Sequence, residues 1–108
     1  MIVTVAERKS EEAARRSVAV AAVVAELGDH ARRLGGRYIL YGSAARGAMR
    51  YDSDVDLILD FPSAAEGEAW RLAEAACNRH RLPCDILPLS MTEGRFRSRI
   101  EAEGTVVS

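Results

Sequence analysis

The apolar positions change period several times along the chain, and these changes divide it into elements. Val20, Val23, Val24, Leu27, Ala31 and Leu34 recur at the three- and four-residue spacing of one helix face. Ser10 stands ahead of them as an N-cap, with Glu11 and Glu12 in the first turn, where the helix dipole favours acids. Arg32 and Arg33 suit the last turn, and Gly35-Gly36 ends the helix. Gly28 is a weak point where the helix is expected to loosen or break, at about 1 kcal/mol against alanine. Residues 1–9 show no period and are expected to be loosely ordered.

Beyond the double glycine the period shortens. Residues 38–41, YILY, form a β-prone run that Gly42 stops. Residues 43–48 are small and suit a short helical turn, and residues 49–53 read as a loop. In residues 55–61 Val55, Leu57 and Leu59 alternate with Asp56 and Asp60, which predicts a strand that Pro62 ends. Ser63 and Glu66 have capping-box spacing ahead of a helix reaching about Arg81, with Ala69, Leu72, Ala73, Ala76 and Cys77 on one side. Pro83 separates it from a third strand over residues 84–87. Ser90 and Glu93 form a second capping box before a last helix carrying Phe96 and Ile100. Gly104 ends that helix, and residues 105–107 predict an edge strand. This order implies a single α/β (α+β) domain over residues 1–108, with a small mixed sheet of three to four strands flanked by helices.

Composition narrows the classes. The 108 residues bury one core and leave little room for a separate acceptor domain. Fifteen basic residues against 16 acidic ones give a net charge of −1, so the basic footprint of a dedicated nucleic-acid binder is missing. The apolar run at 18–25 is too short to cross a bilayer and follows charged residues, so a cytoplasmic protein without a membrane partner is expected. Cys77 and Cys84 match no zinc or redox spacing and read as small, partly buried thiols in a reducing compartment.

The candidate chemistry lies between residues 41 and 60. Asp54 and Asp56, two apart on a strand, point to one face. Two carboxylates so close repel unless a cation lies between them, and all-oxygen ligands favour a hard ion such as Mg²⁺. Gly42-Ser43 follows a strand with a turn whose amides and hydroxyl suit phosphate oxygens. Either feature alone is common. Together, with ten residues between Ser43 and Asp54 and a later Asp85 on the third strand, they make a two-metal phosphoryl-transfer site. Asp85 completes a metal site and suits a general base. Arg46, and less strongly Arg50, are candidates for phosphate contact. Asp52 and Asp60 read as surface acids, because Asp60 lies about 13 Å along the strand from Asp56. His30, His80, Trp70 and the Arg95, Arg97, Arg99 series are assigned structural, interface or solvent roles.

The string GSAARGAMRYDSDVDL closely resembles the minimal nucleotidyltransferases (MNT proteins) of the polymerase-beta-like nucleotidyltransferase superfamily. The similarity covers most of residues 37–103. It implies an NTP bound with two Mg²⁺, Gly42, Ser43 and Arg46 at the nucleotide, and Asp54, Asp56 and Asp85 as catalytic metal ligands. It further implies transfer of AMP from ATP to a hydroxyl of a partner protein, with a HEPN-type toxin as the partner. A homo- or hetero-oligomer fits the same picture. One position departs from many relatives, where Gly-Ser is followed by arginine; here it is Ala44, leaving Arg46 to supply the turn's positive charge. The competing expectation is an antitoxin that acts by covering its partner rather than by chemistry.

Overall fold

A computed structural model describes residues 2–108. The first helix, α1, spans Val5–Leu34, about 45 Å at 1.5 Å per residue. Thr4, not Ser10, caps it: the Thr4 hydroxyl accepts the Glu7 amide at 3.1 Å. Ser10 therefore lies inside the helix, and residues 5–9 are helical rather than irregular. The helix also runs unbroken through Gly28. Packing against the sheet and the second helix, α2 (Ser63–Arg79), outweighs the local propensity of one glycine. Gly35 ends α1 in the left-handed conformation at φ 74°.

Four strands follow, β1 (Arg37–Tyr41), β2 (Val55–Asp60), β3 (Cys84–Pro88) and β4 (Thr105–Val107). Their order in the sheet is β3-β2-β1-β4. β1 runs antiparallel to β2 and to β4, while β2 and β3 are parallel. The parallel pair needs a crossover, and α2 (Ser63–Arg79) supplies it. The last helix, α3, spans Gly94–Glu103. This is the mixed four-stranded α/β arrangement expected.

Alternation along the strands divides the core in two. Tyr38, Leu40, Val55, Leu57 and Leu59 face α1 and α2, where Val23, Leu27, Ala31, Ala69, Ala73 and Ala76 meet them. Tyr38 is fully buried and its hydroxyl donates to the Ala69 carbonyl at 2.8 Å. Burial pushes its pKa up to about 12. The other face carries Ile39 and Ile58, covered by Leu89 and Ile100. Because α3 is short, it covers only part of this face.

Neither predicted capping box forms. Pro62 precedes α2, and its carbonyl accepts the Ala65 and Glu66 amides without a side-chain cap. Residues Leu89–Met91 make a 3₁₀ turn, the Thr92 hydroxyl bonds back to the Leu89 carbonyl at 2.7 Å, and α3 starts only at Gly94. α2 also stops at Arg79 rather than Arg81, because Arg81 turns left-handed at φ 53°. Cys77 is buried and Cys84 half-buried, both free; burial pushes the Cys77 thiol up to about 12. Among the described residues, no helix is long and apolar enough to cross a membrane.

Candidate active site

The antiparallel β1–β2 pair sets the end of β1 beside the start of β2, with Tyr41 opposite Asp56. The parallel β2–β3 pair sets Asp56 beside Asp85. Register partners on neighbouring strands, about 4.8 Å apart, present side chains on the same face. Asp56 and Asp85 therefore share the face that α3 leaves partly open. Asp54 lies one residue before β2, exposed, rather than on the strand itself. The ladder starts at Val55, whose amide donates to the Pro83 carbonyl at 2.9 Å.

Asp56 is half-buried, and its carboxyl is held above the ordinary value of 3.8. Burial is the largest cause, followed by repulsion from Asp85 and then from Asp54. Among the described residues, no salt bridge reaches any of the three. They are crowded carboxylates without a countercharge.

The turn after β1 completes one side of the group. Gly42 is left-handed at φ 72°, and a β-carbon there would sit 2.6 Å from Asp56 Oδ2. Only glycine allows both the turn and that carboxylate position. The chain then makes a helical turn, with Arg46 N donating to Gly42 O at 3.3 Å and Ala48 N to Ser43 O at 2.9 Å. The amides of Ser43, Ala44 and Ala45 donate to no backbone carbonyl among the described residues, as in any first helical turn. Ala44 is buried in the main core, so position 44 faces inward here. Arg46 is exposed and has no ion-pair partner among the described residues.

Beside the carboxylates lies a cleft of about 280 Å³, lined by Tyr41, Asp56, Leu57, Ile58, Asp85, Leu87 and Phe96. The Tyr41 and Phe96 rings meet edge to face at 5.9 Å. These two aromatics were not among the residues singled out from sequence. Phe96 was legible as part of a helix stripe, but the sheet face that stripe meets is a tertiary fact. A larger depression of about 620 Å³ lies between α1 and the end of α2. It contains neither Asp56 nor Asp85, so the smaller cleft is the better candidate.

The family model described as Polymerase beta, Nucleotidyltransferase matches residues 37–108. The chain belongs to this family. No curated protein and no solved structure matches it. The nucleotidyltransferase match starts at β1, takes in Gly42, Ser43 and all three aspartates, and leaves α1 outside.

Nucleotidyl transfer is the chemistry of this family, and the donor set can be tested against the metal it uses. Asp54, Asp56 and Asp85 offer only oxygen, as a hard divalent ion prefers, and Asp56 and Asp85 stand in register. Among the described residues, no three acidic, His or Cys side chains converge closely enough to enclose an ion as they stand. By donor chemistry all three suit a divalent cation, and Asp56 and Asp85 suit it by register as well.

The remaining residues of this nucleotidyltransferase domain fall into place around the site. Asp60 pairs across the strands with Arg37 at 2.7 Å, both side chains 41% exposed. Asp60→Asn should cost at most about 1 kcal/mol in a denaturant melt and leave nucleotidyl transfer unchanged. A loss of transfer matching Asp56→Asn would place Asp60 in the site. Asp52 lies near Arg50 at 3.8 Å on the surface. Trp70 packs on the main core and lines a small cavity with Glu74, Cys84 and Asp85. His30 and His80 do not line the cleft. Arg95, Arg97 and Arg99 are exposed, Arg97 near Glu101 at 3.4 Å.

Proposed function

We propose that this chain transfers AMP from ATP to a hydroxyl of a partner protein and releases pyrophosphate. The observation that carries the reading is the in-register Asp56–Asp85 pair with Gly42 against the Asp56 carboxylate. Asp54, Asp56 and Asp85 would hold two Mg²⁺, and Gly42, Ser43 and Arg46 the triphosphate. When bound, the cations supply neutralisation of the triphosphate and of the charge that develops in transfer. The protein's own groups do the rest. The glycine turn lets phosphate oxygens approach the backbone. Arg46, without an ion-pair partner among the described residues, adds a cation. Asp85, at the cleft rim, takes the proton of the attacking hydroxyl as its oxygen bonds to the α-phosphorus and the bond to pyrophosphate breaks.

The protein acceptor and the pairing with a HEPN toxin rest on the resemblance of GSAARGAMRYDSDVDL to the minimal nucleotidyltransferases. Incubation with Mg²⁺ and ATP, with and without the neighbouring gene product, tests both. Intact-mass analysis should show that product heavier by one or more AMP groups. No addition to any protein, with ATP unconsumed, would sink the catalytic reading.

The second reading is a neutralising antitoxin without chemistry, and buried Ala44 favours it, because the turn offers only Arg46 as a cation. A variant with Asp54, Asp56 and Asp85 all changed to Asn separates the two. Under the catalytic reading it no longer protects cells from the partner; under the second it still does.

A further inference from the structure

The backbone segments that lead into the carboxylates are both held by one face of α1. Arg16 donates from Nη1 to the Ser53 carbonyl at 2.7 Å, one residue before Asp54. Its side chain is only 14% exposed, and its Nε is buried without a hydrogen bond, 3.7 Å from Glu12 Oε2. Arg15 donates to the His80 and Arg81 carbonyls, both at 2.9 Å, at the start of the loop into β3. Arg81 is the one non-glycine residue at positive φ among the described residues, so that loop is held in an uncommon conformation. Glu12 joins the two arginines: Oε1 accepts from Arg15 Nε and Oε2 faces both guanidinium groups.

Further contacts complete the arrangement. Lys9 lies over the Tyr51 ring at 4.7 Å, and Lys9, Glu12 and Arg16 recur at helical spacing on one face. Ser53 closes its own loop, accepting the Arg50 amide on its hydroxyl at 2.8 Å. The Val55 amide to Pro83 carbonyl bond then ties the two loop ends together. The held Ser53 carbonyl restrains the peptide plane from which Asp54 departs, and the held His80 and Arg81 carbonyls restrain the path of the loop that leads to Asp85.

We propose that Glu12, Arg15 and Arg16 form a clamp that positions the Asp54 and Asp85 segments relative to Asp56 and so sets the divalent-cation affinity of the site. The proposal rests on reading those aspartates as metal ligands. It assigns a role to α1, which lies outside the residues the family model matches. The arginines are positioning residues, and neither lines the cleft beside Asp56 and Asp85. If they only glued the helix down, their loss would lower stability and leave the folded site unchanged. A clamp predicts a change in the folded site.

The test is Mn²⁺ titration of the full, metal-free chain, followed by the paramagnetic signal of free Mn²⁺, with a thermal melt of each variant. Removing groups that hold metal ligands typically weakens metal binding about 10–100-fold, and Arg16→Ala should weaken Mn²⁺ by about tenfold or more while folded. Arg16→Lys keeps the charge and one donor, and should fall between wild type and Arg16→Ala; it carries the test if Arg16→Ala does not fold. Arg33→Ala breaks another contact of α1, the pair with Glu68 at 3.4 Å, and should leave Mn²⁺ affinity unchanged. Wild-type affinity in folded Arg16→Ala, or in Arg16→Lys where that stands in, would overturn the clamp alone. Absence of Asp56-dependent Mn²⁺ binding in the wild type would overturn the metal reading and the clamp with it.

Discussion

Asp56→Asn should abolish nucleotidyl transfer and at the same time make the metal-free protein more stable. The two effects share one cause. Asp56 is the half-buried member of the three, and it faces Asp85 in register with Asp54 close by. Its carboxyl is held above the ordinary 3.8, chiefly by burial and then by those two charges. The folded chain therefore keeps this proton to a higher pH than the unfolded chain. Stability from the group is fully present below the unfolded pKa and lost as pH rises through the folded one. At neutral pH the ionised group opposes folding, and asparagine removes that opposition while nearly keeping the shape.

Catalysis responds in the other direction. Metal-centred charge neutralisation is worth several kcal/mol, and about 4 kcal/mol corresponds to roughly 10³ in rate. Loss of Asp56 should therefore lower transfer by about 10³-fold or more. Melts with and without Mg²⁺ should reverse the order of the proteins. Without the ion, Asp56→Asn melts higher. With Mg²⁺ at 100 times its dissociation constant, the wild type gains about 2.7 kcal/mol and the variant gains little. Wild-type transfer rates in purified Asp56→Asn, or a wild type more stable than the variant in the absence of metal, would contradict this account.

How much of this was legible from sequence depends on the scale of the physics involved. Strand alternation is local, so Val55, Leu57 and Leu59 on one side and Asp56 on the other could be read directly, and all three apolar residues are buried. The partnership of Asp56 with Asp85 follows from strand spacing once β2-α2-β3 is recognised as a parallel crossover. Helix starts failed where several local caps competed. Thr4, Ser10, Ser63 and Ser90 all have cap chemistry, but only Thr4 precedes a helix in the required extended conformation. At Ser63 the fixed φ of Pro62 takes the cap position, and at Ser90 a 3₁₀ turn consumes the residues instead. Arg15 and Arg16 were read only as charges flanking an apolar run. Their partners are backbone carbonyls 37 to 66 residues away, which no local pattern announces.

Gly42→Ala should separate the turn's backbone requirement from its role in holding Asp56. Left-handed backbone costs an L-residue with a side chain about 1–2 kcal/mol, and Gly42 sits at φ 72°. Gly47, at φ 65° in the same turn, carries the same requirement, yet a β-carbon there meets nothing within 4 Å. The two alanine variants should therefore lose similar stability. Their activities should differ. At position 42 the added carbon falls 2.6 Å from Asp56 Oδ2, closer than any real contact, and the end of that side chain must swing away. A reacting geometry displaced by about 1 Å can lose about 10²-fold in rate, so Gly42→Ala should lose about that much, while Gly47→Ala keeps most of its transfer. Mn²⁺ affinity should fall with the first and not with the second. If both variants lose transfer equally, the turn matters only as backbone, and the close approach of Gly42 to Asp56 has no part in placing the carboxylate.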